Sequence, residues 1–245
     1  MTAQPGRPEM TIRAIEPAQH TAARIVGLLY LLLMVTGMFA EFFARGQLIV
    51  AGDAVQTARN IAESERLFRM GVVSNLITFA GDVALAVALY VVLRPVSNSL
   101  ALVATFWRLV ESAVLGVTAF FDFAALVLLS GADYLRVFDT EQLQALARAF
   151  ISVQGAGYRI GLVFLGLGSI VFAYLWFKSR YIPRALSGLG IFASLLLTIV
   201  SLGIMVFPKL APVVTPLYFA PMFFFEVGLG LWLLIKGIRG PIAQH

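Results

Sequence analysis

The sequence contains no cysteine, and its only two histidines, His20 and His245, lie near the chain ends. Without cysteine, disulfide bonds, thiol nucleophiles and thiolate metal ligands are all excluded. With histidine confined to the ends, a multi-histidine metal site inside the protein is excluded as well. Neither a G-x-S-x-G nucleophile elbow nor a phosphate-binding Walker loop is present. We therefore expect no enzyme of a recognisable class, no cofactor and no metal.

Charged residues are also scarce. They make up 13% of the chain and hydrophobic residues make up 60%, with a mean hydropathy of +0.90, whereas soluble domains carry about 25% charged residues. The net charge of +5 does not indicate nucleic acid, because the Lys and Arg residues lie at the ends of apolar segments. Basic residues in such places set membrane topology and contact anionic lipid. We expect membrane lipids as partners and no nucleic acid.

Six apolar segments are long enough to cross a bilayer at a rise of about 1.5 Å per residue. Two further segments, 53–68 and 139–150, have apolar residues at helical spacing, with Asp53 and Asp139 as caps and Gln142 at the third helical position. We predict an all-α fold, an integral membrane bundle of six transmembrane helices with two short amphipathic surface helices. The six predicted spans are 24–43, 70–93, 100–129, 153–177, 185–208 and 217–235.

The predicted domain organisation is a single six-helix transmembrane domain at 23–238 between tails at 1–22 and 239–245. With six spans, nine Lys and Arg residues fall on the side of the two termini and seven on the other side. The nine lie on short segments, where basic residues determine orientation. We therefore predict a multi-pass protein of the cell (inner) membrane with both tails in the cytoplasm.

The third predicted span carries three charged residues on one side of a helical wheel. Glu111 falls about 60° and Asp122 about 40° from Arg108 at 100° per residue. A lone charge at the bilayer centre costs at least about 2.5–3.5 kcal/mol on insertion scales. This face is therefore expected to point into the bundle. In the fourth span, Gly157 and Gly161 have the small-residue spacing that allows close helix packing.

Depth along the predicted spans separates the intramembrane charges into two layers. In the inner layer, Arg108 is expected to pair with Asp82 or Glu226. In the outer layer, Arg159 is expected to pair with a carboxylate of the first or third span. The candidates for that outer partner are Asp122 and Glu41.

The first functional hypothesis is a polar intramembrane cavity that binds or translocates a small molecule, an ion or a proton. The excess of carboxylates favours a cationic or protonatable passenger. The alternative is a structural or regulatory membrane protein that acts through partners, with buried ion pairs serving only assembly. Lipid head-group recognition and acid–base chemistry by carboxylates are less favoured alternatives. The candidate ligand-binding residues are Asp82, Arg108, Glu111, Asp122, Arg159 and Glu226.

Four stretches resemble a known family: LFRMGVVSNLITFAGDVALAVALYVVLRPV, LLSGADYLRVFDTEQLQALARAF, YLWFKSRYIPRALSGLGIF and FEVGLGLWLLIKGIRG. They are similar to the bacterial membrane proteins grouped as domain of unknown function 4386, and the likeness runs from about residue 20 to 238. The stretches at 128–146 and 178–189 are the most specific, since polar and apolar letters both match. The resemblance implies a polytopic bacterial membrane protein. It brings no established activity, so no catalytic residue carries over.

Overall fold

The computed structural model describes residues 16–239, apart from the side chains of residues 212, 215 and 216. Helices account for most of this part of the chain, and it contains no strand. Of the predicted tails 1–22 and 239–245, residues 1–15 and 240–245, with His245, lie outside the described part. The elements are α1 (Pro17–Met38), a π-helical segment (Phe39–Arg45), α2 (Gly46–Leu48), α3 (Ala54–Glu63), α4 (Glu65–Leu93), α5 (Asn98–Leu128), α6 (Thr140–Ser179), α7 (Arg184–Val206) and α8 (Ala211–Ile235), with 3₁₀ turns at Asp133–Leu135 and Pro208–Leu210.

Six helical segments are long and apolar enough to cross a membrane, as predicted. They are Pro17–Leu48, Glu65–Leu93, Asn98–Leu128, Thr140–Ser179, Arg184–Val206 and Leu217–Ile235. The outer surface of these helices carries large apolar side chains; Phe120 is 72% and Ile199 65% exposed. Lipid is the solvent that accepts such a surface, while each helix satisfies its own backbone groups. The chain is therefore a multi-pass helical membrane protein.

Polar residues cap the N-terminal ends of several helices. Pro17 occupies the first turn of α1, and Glu16 and Gln19 form a reciprocal capping box. Asp53 accepts a hydrogen bond from the backbone N–H of Gln56 at 2.8 Å, and Asp139 forms a capping box with Gln142. The predicted caps at 53 and 139 are thus confirmed. Helix α1 begins earlier than predicted, because its N-cap, Glu16, lies eight residues before the predicted start of the span at residue 24.

The two predicted surface segments are helical, but the boundary between each segment and the next span differs from the prediction. The first is α3, and its last predicted residues already belong to α4, which starts at Glu65. The second continues into the fourth span as the 40-residue helix α6. At 1.5 Å per residue α6 is about 60 Å long, roughly twice the hydrocarbon thickness. Its first turns therefore extend beyond the bilayer, where α3 packs against α6.

The long helices form a closed ring. α1 packs against α4, α4 against α5, α5 against α6, α6 against α7, α7 against α8, and α8 returns to α1. Glycine permits the closest approaches: a Cβ on Gly27 of α1 would lie 2.8 Å from the carbonyl oxygen of Gly230 on α8. A Cβ on Gly157 or Gly161 of α6 would lie under 3 Å from Thr118 or Leu115 of α5. The predicted small-residue packing is confirmed.

The interior consists of two apolar clusters with a polar layer between them. One cluster occupies the end of the bundle where α1 begins and α8 ends, hereafter the terminal end, and includes Trp176 and Leu89. The other lies toward the loops 49–53 and 129–139, hereafter the loop end, and includes Phe68 and Ile151. On α4 the polar residue Asp82 falls between the two clusters. The ring and this layer together position the site.

Candidate functional site

A cavity of about 470 Å³ lies at the centre of the helix ring. Along the first membrane-spanning segment, Pro17–Leu48, its wall runs from Tyr30 to Gly46, a distance of about 24 Å at the helical rise. The wall is largely apolar, with a charged cluster at one end and Glu41 toward the loop end. All six membrane-spanning segments contribute to it. The polar lining residues are Tyr30, Glu41, Thr78, Asp82, Arg108, Glu111, Tyr158, Tyr218 and Glu226.

The charged cluster is built around Arg108 of α5, which is 4% exposed. Its Nη2 donates a hydrogen bond to Oδ1 of Asp82 on α4 at 2.5 Å. Its Nη1 lies 2.8 Å from Oε2 of Glu111, one helical turn away. That second contact is an ion pair without hydrogen-bond geometry, and both atoms have no hydrogen-bond partner among the described residues. Of the two partners predicted for Arg108 in the inner layer, Asp82 and Glu226, the structure shows the ion pair with Asp82.

Glu226 of α8 completes the cluster in a different way. It lies within electrostatic range of Arg108 and Asp82, but the described part of the chain gives it neither a hydrogen bond nor an ion pair. Its side chain is half-buried, whereas Asp82 and Glu111 are buried. Glu226 is therefore the carboxylate of the cluster that faces the open volume.

The helix beside Arg108 is shaped to accept its long side chain. A Cβ on Gly168 of α6 would lie 3.0 Å from Cγ of Arg108 and 3.1 Å from the carbonyl oxygen of Ala104. Glycine at this position lets α6 lie directly against the aliphatic stem of the arginine. The guanidinium then extends past α6 toward α4.

The outer layer contradicts the predicted pairing of Arg159. Arg45 donates to Oδ1 of Asp122 at 2.7 Å and to Oε1 of Gln154 at 2.6 Å, and its Nε lies 3.8 Å from Glu41. Both carboxylates proposed for Arg159 thus belong to Arg45. The reason is that the first helix continues past Phe43, where the predicted span ended, so that Arg45 faces the bundle rather than a loop.

The π-helical segment Phe39–Arg45 produces this arrangement. The backbone N–H of Gly46 bonds to the carbonyl of Glu41, five residues earlier, and such wide turns often occur at functional sites. The segment directs Glu41 to the cavity and Arg45 to α5. One signal for the longer helix was present in the sequence: Ala40 and Ala44 have small-residue spacing, and a Cβ on Gly71 would lie 2.5 Å from Cβ of Ala44.

Four of the six predicted ligand-binding residues, Asp82, Arg108, Glu111 and Glu226, line the cavity; Asp122 and Arg159 do not. Among residues 16–239, no group of three or more His, Asp or Glu side chains has an arrangement suited to a metal ion. Sequence reasoning missed the cavity tyrosines, because an isolated tyrosine in an apolar helix is equally typical of packing. They are Tyr30, Tyr158 and Tyr218.

Comparison with known proteins places the chain in a family. A family model described as a domain of unknown function (DUF4386) matches residues 25–237. An uncharacterised protein of the archaeon Archaeoglobus fulgidus is 30% identical over 160 residues, which cover 64% of this chain and 76% of that protein. No solved structure matches. Since the match spans all six membrane segments and the whole of the charged cavity, the chain belongs to the DUF4386 family.

Proposed function

We propose that this protein binds or translocates a small molecule, an ion or a proton through its central cavity. The observation that supports the proposal is the charged cluster of Asp82, Arg108, Glu111 and Glu226 on the wall of a cavity of about 470 Å³. Ligand sites typically measure about 300–1,000 Å³ and combine an apolar wall with a few polar groups. Charged side chains inside a membrane protein cost free energy, and they commonly mark functional sites.

A second candidate is a structural or regulatory membrane protein that acts through partners. It is favoured by the pairing of Arg108 with two carboxylates, which joins α4 to α5 and needs no ligand. Buried ion pairs can specify how helices assemble without adding stability. This candidate does not account for Glu226, which lines the cavity outside those pairs.

Native mass spectrometry of the detergent-purified protein tests the proposal. We expect a discrete small molecule to be retained by the wild type and lost in Glu226→Gln. The matched control is Glu141→Gln, the same chemical change on the exposed first turn of α6. A clean mass without any retained molecule, together with loss of folding in Asp82→Asn, would favour the structural candidate.

We also propose that the protein lies in the cell (inner) membrane and that both of its termini are on the cytoplasmic side. The supporting observation is the set of basic residues on short segments at the terminal end, where positive charge determines orientation. Arg184 stacks over Phe177 at 5.3 Å and Arg239 over Trp232 at 4.7 Å, which suits the head-group level of a bilayer. Membrane lipids are the partners that this arrangement implies.

A further inference from the structure

Carboxylates outnumber cations in the charged cluster of the cavity. One guanidinium, Arg108, faces the carboxylates of Asp82, Glu111 and Glu226. Both terminal nitrogens of Arg108 are engaged with Asp82 and Glu111 at 2.5 and 2.8 Å. Oε2 of Glu111 is buried without a hydrogen-bond donor among the described residues. The charged cluster therefore holds three carboxylates and one guanidinium, and that guanidinium is already occupied.

Position within the cluster singles out Glu226. Asp82 and Glu111 are 8% and 1% exposed and lie against Arg108, whereas Glu226 is half-buried and lines the open volume. An anion reaching the cluster would have to displace a carboxylate from Arg108 and would meet Glu226 as well. A cation could contact the carboxylate of Glu226 without displacing any group that is already bound to it.

The remaining wall is suited to the apolar body of such a cation. Tyr30, Tyr158 and Tyr218 line the cavity, and aromatic faces attract cations within about 6 Å of the ring centroid. Phe219 and Phe223 are stacked with centroids 6.5 Å apart and form part of the wall on α8. Methionine side chains, which adapt to irregular apolar shapes, complete this part of the lining: Met34, Met38 and Met222.

We propose that the cavity takes an organic cation with an apolar body, such as a hydrophobic amine in its ammonium form or a quaternary ammonium compound, with its charge at Glu226. This inference rests on the proposed function, because it names the ligand class of the same cavity. The apolar body lies along the aromatic and methionine-lined wall between α1 and α8. The cavity is expected to recognise the charge and the apolar volume of the ligand. It should therefore discriminate between a cation and an anion of the same size.

The test uses tetraphenylphosphonium, a cation, and tetraphenylborate, an anion of nearly the same size and shape. Binding of each labelled ion is measured on the protein in phosphatidylcholine nanodiscs, with empty nanodiscs subtracted. We expect saturable binding of the cation and at least about tenfold weaker binding of the anion. Glu226→Gln is expected to weaken cation binding about tenfold or more, while Glu226→Asp, which retains the charge, and Glu141→Gln leave it near the wild-type value.

The outcomes separate this inference from the proposed function. Equal binding of both ions, or undiminished cation binding by Glu226→Gln, would overturn the inference. If the native mass spectrum shows a retained neutral or anionic molecule while tetraphenylphosphonium does not bind, the cavity is a ligand site of another class and only the inference fails. If neither a retained molecule nor cation binding is found, both fail. Should Glu226→Gln not fold, the preference of the wild type for the cation decides.

Discussion

Arg108 holds two carboxylates at once, so its contribution is that of a shared counter-charge rather than a single ion pair. Asp82 lies on the neighbouring helix and Glu111 on the same helix. Removing one partner of a buried pair is strongly destabilising, because the remaining charge stays buried without compensation. Here one substitution leaves two carboxylates uncompensated, and this determines the effect expected for variants at position 108.

Arg108→Ala is expected to destabilise the folded protein by about 3–5 kcal/mol, the range for breaking a buried ion pair. Arg108→Lys keeps the charge but loses the planar fork that reaches both carboxylates, so we expect a smaller loss. The free energy of unfolding is measured by circular dichroism in mixed micelles with increasing dodecyl sulfate. The control is Arg136→Ala, since Arg136 is exposed and its pair with Asp133 contributes about 0–1 kcal/mol. Equal stabilities of Arg108→Ala and the control would contradict the prediction.

Arg45 and Asp122 are expected to be energetically coupled. A double-mutant cycle with Arg45→Ala and Asp122→Ala should give a coupling energy of about 0.5–3 kcal/mol, the range for contacting residues. The comparison cycle is Arg69 with Glu65, an exposed pair on α4, for which about 0.3–0.5 kcal/mol is expected. Additive effects at Arg45 and Asp122 would show that their 2.7 Å contact contributes no net stability.

The site was partly predictable at this scale. Charges in membrane helices must face inward, and from this rule follows the prediction that Arg108 pairs with Asp82 or Glu226. It did not identify Arg45, because charge alone does not reveal that a helix continues past an arginine. It also left open which carboxylate stays outside the pairs, since position along a helix gives depth but not which neighbour lies opposite. The half-buried position of Glu226 is a property of the packed ring.

Helix ends and spans were largely readable from the sequence because their causes are local. Asp53, Asp139 and the Arg94-Pro95 step act within one turn, and the structure ends or begins helices there. The division between the second surface segment and the fourth span was not readable. Polar residues at the start of α6 indicate contact with water, and a continuous helix that rises out of the bilayer satisfies that requirement as well as a separate surface helix does.

The contact between α1 and α8 closes the ring and depends on the absence of side chains at Gly27 and Gly230. Gly27→Ala would place a Cβ 2.8 Å from a backbone oxygen that cannot move aside easily. We expect a loss of about 1–3 kcal/mol, as for other overpacked interiors. In Gly116→Ala, the control within α5, the added Cβ meets nothing within 4 Å. That variant should be neutral or gain up to about 1 kcal/mol from helix propensity.

The same unfolding measurement in mixed micelles distinguishes these two glycine variants. If Gly27→Ala were as stable as Gly116→Ala, α1 and α8 would be able to move apart at Gly27 without a loss in the free energy of unfolding. The contact would then not be what closes the ring.

At the scale of the whole molecule, the absence of cysteine makes the orientation directly measurable. Ser99→Cys places a thiol at the terminal end, and Val137→Cys places one in the loop between α5 and α6, where Val137 is 82% exposed. In intact cells, a membrane-impermeant maleimide should label Val137→Cys and not Ser99→Cys. After the membrane is permeabilised, both should react. The reverse pattern in intact cells would place the termini outside the cytoplasm.

The π-helical segment Phe39–Arg45 makes the first helix sensitive to its length. Deleting one residue there would rotate everything that follows by about 100° relative to the preceding helix. Arg45 would turn away from Asp122, and Ala44 would leave its place against Gly71. Replacement of single side chains on the lipid-facing side would leave both contacts in place. We therefore expect the fold to tolerate insertions and deletions in the loops 49–53 and 129–139, but not between residues 39 and 45.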